Sequence, residues 1–432
     1  MSADITTLSI KSLSVYPLGG GKPTDLYNSI LAIDYFENIL EPTISMEIMI
    51  FSSYSVFNTI PIRGGERVTM EIDTARGTFL YDLDNPLYVY KVSDLESSKQ
   101  RETFVLHLTS REYFSNETSR CLKKYKDSPI HVHVKDILDN TLGTQNYLPE
   151  NIEPTITNYT FIGNMKKPFH ILQWLGPKSI SSVSGAKGKS GVGPNAKGKG
   201  TAGFFFYENK EGFNFRSIDN LVAGTKMGSS DSKGIPVYSY GGVIQSTENK
   251  PINAGEIIEY YLDKNIDLKK SLRVGMYSNY TYFYDMNTNV LSGYSYRLKD
   301  EVTTKLGRDD VADTWGDRSS RVMFRISDHG VMDSSAGTEE SGRDIVDVAK
   351  SYARFNLLFT QSLNILVPCN ISLKVGDIIR CELPKKDGGK TTEYDDEISG
   401  NYLIREMRHH FSANQNTTSL KLMRDSYGDN LN

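Results

Sequence analysis

The sequence predicts a mainly β protein with some helix (β+α): two related antiparallel β-barrel modules carrying α/β insertions. Three observations predict it. Apolar residues alternate with polar ones along many short segments bounded by Gly, Pro, Asn and Asp. Stretches near the two ends of the chain resemble each other. And a single segment carries a clear helical period.

Residues 1–115 read as the first β-barrel module. LSVYPL, SILAIDYF, ISMEIMIFSSYSVF, GERVTMEI, PLYVYKV and ETFVLHLTS are rich in β-branched and aromatic residues, with LGGGKP, RGGE and LDNP as turns between them. In GERVTMEI, Val68, Met70 and Ile72 share one face and Arg67, Thr69 and Glu71 the other. That period of two marks a strand with one buried face.

Residues 116–235 read as an α/β insertion domain. HVHVKDILDNTLG is expected to be a short strand running into a helix. KKPFHILQWLGPK is expected to be a helix anchored by Phe169, Leu172 and Trp174. Residues 178–203 hold five lysines, many glycines and no acid, a composition that buries no apolar surface and predicts a mobile loop. GFFFYE and GFNFRSI follow as two strands joined at Asn209-Lys210-Glu211. The second barrel module is expected to be discontinuous, 236–280 and 355–432. An insertion at 281–354 ends in the helix 343–354, where Ile345, Val348, Ala349 and Tyr352 fall at i, i+3, i+4 and i+7.

The repeat sets GGERVTMEI from Gly64 against VGDIIRCEL from Val375, so that Gly65 falls on Gly376 and Met70 on Cys381. YVYKV from Tyr88 falls on YLIRE from Tyr402, and LHLTSREY from Leu106 on LKLMRDSY from Leu420. The last two alignments share one register, which predicts equal loops between the paired strands. IDYFENIL from Ile33 resembles IEYYLDKNI from Ile258, with Tyr35 on Tyr260.

Composition bounds the function. The 432 residues carry 49 basic and 53 acidic side chains, a net charge of −4 that argues against a general nucleic-acid binder. Cys121, Cys369 and Cys381 are too few and too scattered for a disulfide framework or a zinc site. No signal peptide and no membrane span is expected.

Candidate chemistry fails on spacing. A phosphate-binding P-loop needs a glycine five residues before Gly188, and Val183 stands there. GKGTAG, ending at Gly203, fits a dinucleotide fingerprint but leads into the GFFFYE strand, whereas a nucleotide site needs a helix N-terminus. His131 and His133 share a face if HVHV is a strand, but no third metal ligand lies near in sequence. His409 and His410 are expected on opposite faces of a strand, and Cys381 in a core. The acidic runs at 393–397 and 337–344 lack calcium-loop spacing. No catalytic, cofactor-binding or metal residue is therefore assigned, and the expectation is a protein that is not an enzyme.

Four segments resemble the baseplate central hub protein of contractile-tailed (myovirus) bacteriophages: GFFFYENKEGFNFRSID, RVGMYSNYTYFYDMNTNVLSGYSYRL, RDIVDVAKSYARF, and LKVGDIIRCELPK with GNYLIREMRHHFS. The resemblance implies tube-type barrels and a structural homotrimer in the virion's tail baseplate, assembled in the host cytoplasm. It implies an adaptor between the six-fold tail tube and the three-fold spike, around a channel. Implied partners are the spike protein, tail-tube or tube-initiator proteins, and tape-measure protein or DNA in the channel. Three chains with two similar barrels each would present six barrels in a ring, which gives the symmetry change a physical basis. The alternatives are a type VI secretion-like spike base protein and a carbohydrate-binding β-protein. The first usually continues into a β-helical spike, and no such repeat precedes Asn432; the second rests on the aromatic content.

Overall fold

The computed structural model describes residues 8–428 apart from 54–61, 99–100, 157, 183–202, 225–233, 241–254, 264–265, 287–288, 302–304, 308–313, 328–342, 386–393 and 414. The first strands are β1 (Leu8–Tyr16), β2 (Thr24–Asp25), β3 (Ile30–Asn38), β4 (Ser45–Ser52), β5 (Arg67–Thr74), β6 (Gly77–Tyr81), β7 (Leu87–Ser98) and β8 (Arg101–Thr109). Alternation decides their faces as expected: Val68, Met70 and Ile72 are buried while Arg67 is exposed and Thr69 and Glu71 are half-buried.

The first insertion contains α1 (Arg111–Thr118), β9 (Lys124–Pro129), α2 (Ile130–Asp136), β10 (Asn158–Ile162), α3 (Pro168–Leu175), β11 (Phe204–Asn209), β12 (Gly212–Ser217) and α4 (Ile218–Val222). Two expectations are corrected here. HVHV is the first turn of α2, not a strand, because Pro129 supplies the extended residue before a helix whose buried side is Ile130, His133 and Val134. And Trp174 is 41% exposed; Ile171 and Leu175 join Phe169 and Leu172 inside instead. Trp174 packs over Phe161 and Tyr159, with the Lys178 ammonium 4.3 Å from its ring centroid.

The β11–β12 hairpin is buried on both faces. Phe204, Phe206, Phe213 and Phe215 enter the insertion's own core, while Phe205 and Tyr207 enter the core of the large sheet. A two-residue turn at Lys210-Glu211 closes the hairpin. One aromatic strand thus serves two cores, which explains why GFFFYE is an unbroken apolar run rather than an alternating one.

The remaining elements are β13 (Val237–Ser239), β14 (Glu259–Asp263), α5 (Leu268–Val274), β15 (Ser278–Asp285), β16 (Val290–Arg297), β17 (Arg321–Ser327), α6 (Arg343–Leu357), β18 (Gln361–Pro368), β19 (Ile378–Glu382), β20 (Gly400–Ser412) and β21 (Asn416–Arg424). The three strands β16-β15-β17 form a separate sheet. Its Phe283, with Tyr294, meets Ala349 of α6, and Tyr296 packs with Ala353. The second insertion therefore lies between β14 and β18. The expected boundaries at 280 and 354 fall inside β15 and α6, because the strand-rich segment holding β14, β15 and β16 contributes to two sheets, not one.

Among the described residues the large sheet has fourteen strands and runs β14-β18-β21-β20-β3-β4-β8-β7-β5-β1-β2, with β6 on β5, β19 on β20 and β13 on β19. The repeat is visible in this order. Module one runs β3-β4-β8-β7-β5 and module two runs β14-β18-β21-β20-β19, every neighbouring pair antiparallel.

Candidate functional site: the junction of the two modules

Each module is entered by the same corner. Gly65 and Gly376 have φ of 91° and 90°, a conformation that favours glycine. The acid that follows accepts a backbone N–H from three residues earlier: Arg63 N to Glu66 at 2.7 Å, Lys374 N to Asp377 at 3.2 Å. Gly65 N donates to Val89 O and Gly376 N to Ile404 O. Beyond it β7 bulges between Val89 and Lys91, and β20 between Ile404 and Glu406. A bulge inserts one residue and bends its strand.

These bonds correct two registers. Val89 corresponds to Ile404, not Leu403, since both receive the corner glycine's N–H and both precede the bulge. Leu108 does correspond to Leu422, their cross-strand partners. The stretch from Val89 to Leu108 is one residue longer than that from Ile404 to Leu422 because β7 carries a second bulge between Ser93 and Glu96; the turns themselves are equal as expected, Ser97 opposing Glu102 as Phe411 opposes Asn416. Tyr260 corresponds to Ile33, not Tyr35: Ile33 opposes Ile48 and Ile48 opposes Leu106, as Tyr260 opposes Ile365 and Ile365 opposes Leu420.

The modules join where β3 pairs with β20, Ala32 to Asn38 against Ser412 to Glu406. On the outer face Asp34 takes Arg408 through two bonds of 2.8 Å and His410 at 2.7 Å. Burial alone would raise the Asp34 carboxyl; the bonds from Arg408 and His410 outweigh it and hold the pKa below the ordinary value. On the inner face Tyr35 stacks on His409 at 6.0 Å, and burial lowers the His409 pKa to about 3, so this imidazole is neutral. His409 and His410 do point to opposite faces, as alternation requires, and His409 bonds Thr418 at 2.9 Å.

Buried acids tie the junction to the insertions. Glu37 accepts the Tyr35 hydroxyl at 2.8 Å, Lys210 N of the β11–β12 turn at 2.7 Å and Val375 N of the second corner at 3.0 Å. One carboxyl thereby joins β3, the first insertion and module two. Glu208 accepts Ser110 Oγ at 2.7 Å and Ile44 N at 3.2 Å, joining β11 to module one. Burial pushes these carboxyls up to about 7 and about 8. Fully buried Arg354 of α6 pairs with Asp425 at 2.7 Å and approaches Asp219 of α4 at 3.5 Å, joining the second insertion to both. None of these was singled out in sequence. The available signal was an acid inside an apolar strand, in IDYFENIL and GFFFYE.

The singled-out residues stay apart. His131 bonds Thr155, and His133 bonds the Tyr159 carbonyl at 2.7 Å; burial lowers both imidazoles' pKa. Cys381 is fully buried among core residues, its thiol pKa raised by burial. Among the described residues no three metal-ligating side chains cluster, and no helix is long and apolar enough to cross a membrane. Most of the glycine-lysine stretch and the acidic run up to residue 342 lie outside the described residues, as does position 393 of the other acidic run. At the described ends of the first, Gly203 N donates to Ser179 O and Gly203 leads straight into β11. A groove of about 490 Å³ beside β14 is lined by Tyr261, Asp267, Lys270, Phe359 and Arg405 among others, both charge signs together.

The chain is similar over nearly its full length to solved tail proteins, one of them from a prophage. A tail protein from Neisseria meningitidis MC58 matches with a TM-score of 0.55 and 12% identity, covering 97% of this chain and 96% of that one. The 43 kDa tail protein of prophage MuSo2 from Shewanella oneidensis matches with a TM-score of 0.54 and 9% identity, covering 98% and 100%. At such identities the likeness is one of fold: this mainly antiparallel β chain has the fold of phage tail proteins. No protein-family model and no curated protein matches the sequence.

Proposed function

We propose that this chain is a structural component of a phage tail, the baseplate hub of a contractile tail, and that it is not an enzyme. Three copies form a ring between the six-fold tail tube and the three-fold spike. Tape-measure protein or DNA passes through the channel, and the virion baseplate is assembled in the host cytoplasm. The observation that carries this reading is the duplicated five-strand order within one chain. Three chains then present six nearly equivalent modules, which meets a six-fold partner on one side while keeping three-fold symmetry for the other. The shared fold with tail proteins over almost the whole length supports it. So does the junction's chemistry, in which buried acids serve as structural ties between elements.

The test is the mass of the full-length protein by light scattering across a concentration series, followed by averaging of particle images. A mass of three chains and a pseudo-six-fold ring with a central opening is expected. A ring of six copies, or a monomer at every concentration, would remove the reason given for the duplication.

A further inference from the structure

One joint between module edges is made inside the chain. The second half of β20, Glu406–Ser412, bonds β3, while its first half bonds β19. In the repeat β20 corresponds to β7, and β3 corresponds to β14. The equivalent joint would place β14 on the second half of β7. It is not made within the chain. β14 ends the large sheet and bonds β18 alone among the described strands, and on its β5 side β7 is bonded at Leu87, Tyr88 and Val89, with no described strand paired to it beyond them. Among the described residues both backbone edges are open, and an open strand edge is a template for another strand.

We propose that β14 of one copy adds, antiparallel, to the second half of β7 of the next copy, repeating between chains the joint that β3 and β20 make within one. The partner is a second copy of this chain, so the inference rests on the ring proposed above and names its contact. The internal joint fixes the register. His410 opposes Asp34. Asp34 corresponds to Tyr261 by the match of Ile33 with Tyr260. His410 corresponds to Glu96, since each opposes a threonine at the same place in the repeat, Thr417 and Thr103. Tyr261 then faces Glu96, Asp263 faces Ser93, and Leu262 meets the second β7 bulge, at Asp94-Leu95.

Exposure agrees. Leu95 is 54% exposed in the single chain. At the places of Leu262 and Leu95 in the internal joint, Tyr35 and His409 are buried and stacked. Each chain contributes one β14 edge and one β7 edge, a head-to-tail contact that closes into a ring when its rotation allows. If the rotation between chains matches the rotation between modules, three chains supply six steps. A five-residue ladder is small beside the ~1,600 Å² of a standard interface. In a closed ring, however, each joint is held by the other two, which raises its effective concentration.

The experiment uses the full chain with Tyr261→Cys and Glu96→Cys carried on separate, co-expressed copies; the native cysteines are all buried. After mild oxidation, covalent dimers are expected on a non-reducing gel from the co-expressed pair and none from either variant alone. With both substitutions in one chain, the covalent product should reach three chains and stop. Light scattering of the unoxidised protein separates the two readings. A three-chain mass without cross-linking overturns the strand joint and leaves the ring standing. A monomer up to the highest concentration the protein tolerates overturns both. Cross-linked products running on beyond three chains would support the joint and overturn the closed ring.

Discussion

Module one and module two are built on the same five-strand order, yet few places agree residue by residue: Leu106 and Leu108 match Leu420 and Leu422 in the strands, and the clearest agreement lies at the corner, where the backbone is unusual. The corner glycine, the acid that caps it and the one-residue bulge recur at matching places. Elsewhere the copies have diverged. Tyr90 fills the first bulge and Arg405 the second. The connection from β3 to β4 takes residues 39–44, whereas from β14 to β18 it takes residues 264–360 and holds a second sheet. β1 runs antiparallel to β5, while β13, placed alike on β19, runs parallel to it. The difference teaches that a positive φ constrains sequence more tightly than a core position does, since many apolar side chains fill a core but few residues fit such a backbone.

The sharpest way to break the comparison is to place a charge at matching core positions. Met70 and Cys381 are equivalent through the two corners and are 1% and 0% exposed. Met70→Asp and Cys381→Asp should each abolish soluble protein, because an unpaired buried carboxylate costs about 5 kcal/mol or more against a total stability of ~5–15 kcal/mol. Thr69→Asp and Arg380→Asp, one residue away on the half-buried faces, should leave soluble, folded protein. Soluble yield and a cooperative melt are the readout. Equal tolerance at all four would show that the two strands are not equivalent.

The corners allow a finer comparison. At both, alanine must adopt a left-handed conformation, which costs roughly 1–2 kcal/mol. The surroundings differ. A Cβ on Gly65 meets the Leu18 side chain at 3.3 Å, whereas one on Gly376 overlaps the Tyr207 hydroxyl and touches Leu221 at 3.3 Å. Tyr207 is held on the buried hairpin and cannot swing aside. Gly376→Ala should therefore cost about 1–3 kcal/mol more than Gly65→Ala, the cost of overpacking a filled site. Chemical-denaturation midpoints decide it, and equal losses would mean that the hairpin does not press on the second corner.

How much of this was legible in the sequence follows the same physics. Strand faces were legible, because burial on one face imposes a period of two. The repeat was legible through Gly65 and Gly376. Its register was not: a bulge adds a residue without any composition of its own, so the alignment slipped by one at Val89 and by two at Tyr260. HVHV forms a helix although alternating β-branched residues suit a strand, because burial of Ile130, His133 and Val134, which local sequence does not show, decides for the helix. The separate sheet of β15 to β17 was hidden because strand propensity says nothing about which sheet a strand joins. The ties at Glu37, Glu208 and Arg354 were hidden because their partners lie far away in sequence.

The smallest expected effect compares these ties by their protons. Burial raises Glu208 to about 8, the nearby Glu112 charge adding to it, against 4.5 for an ordinary glutamate. The folded state therefore holds this proton more tightly than the unfolded chain. Its contribution is fully present below about pH 4.5 and is lost as pH rises toward 8, by up to ~1.4 kcal/mol per unit. Glu37, raised to about 7, acts over a narrower window in the same direction. Glu208→Gln keeps an amide oxygen for Ser110 Oγ and Ile44 N but cannot ionise. Between pH 5 and 8 its melting temperature should fall less steeply than that of the unmodified chain, with the variant the more stable of the two at pH 8. Glu37→Gln should flatten the curve over a shorter range, ending near pH 7. These differences amount to a few degrees in a chain of this size, and calorimetric melts at half-unit pH steps resolve them. Parallel curves for all three proteins would mean that water reaches these carboxyls, so that the ties between the modules and the first insertion are looser than their hydrogen bonds imply.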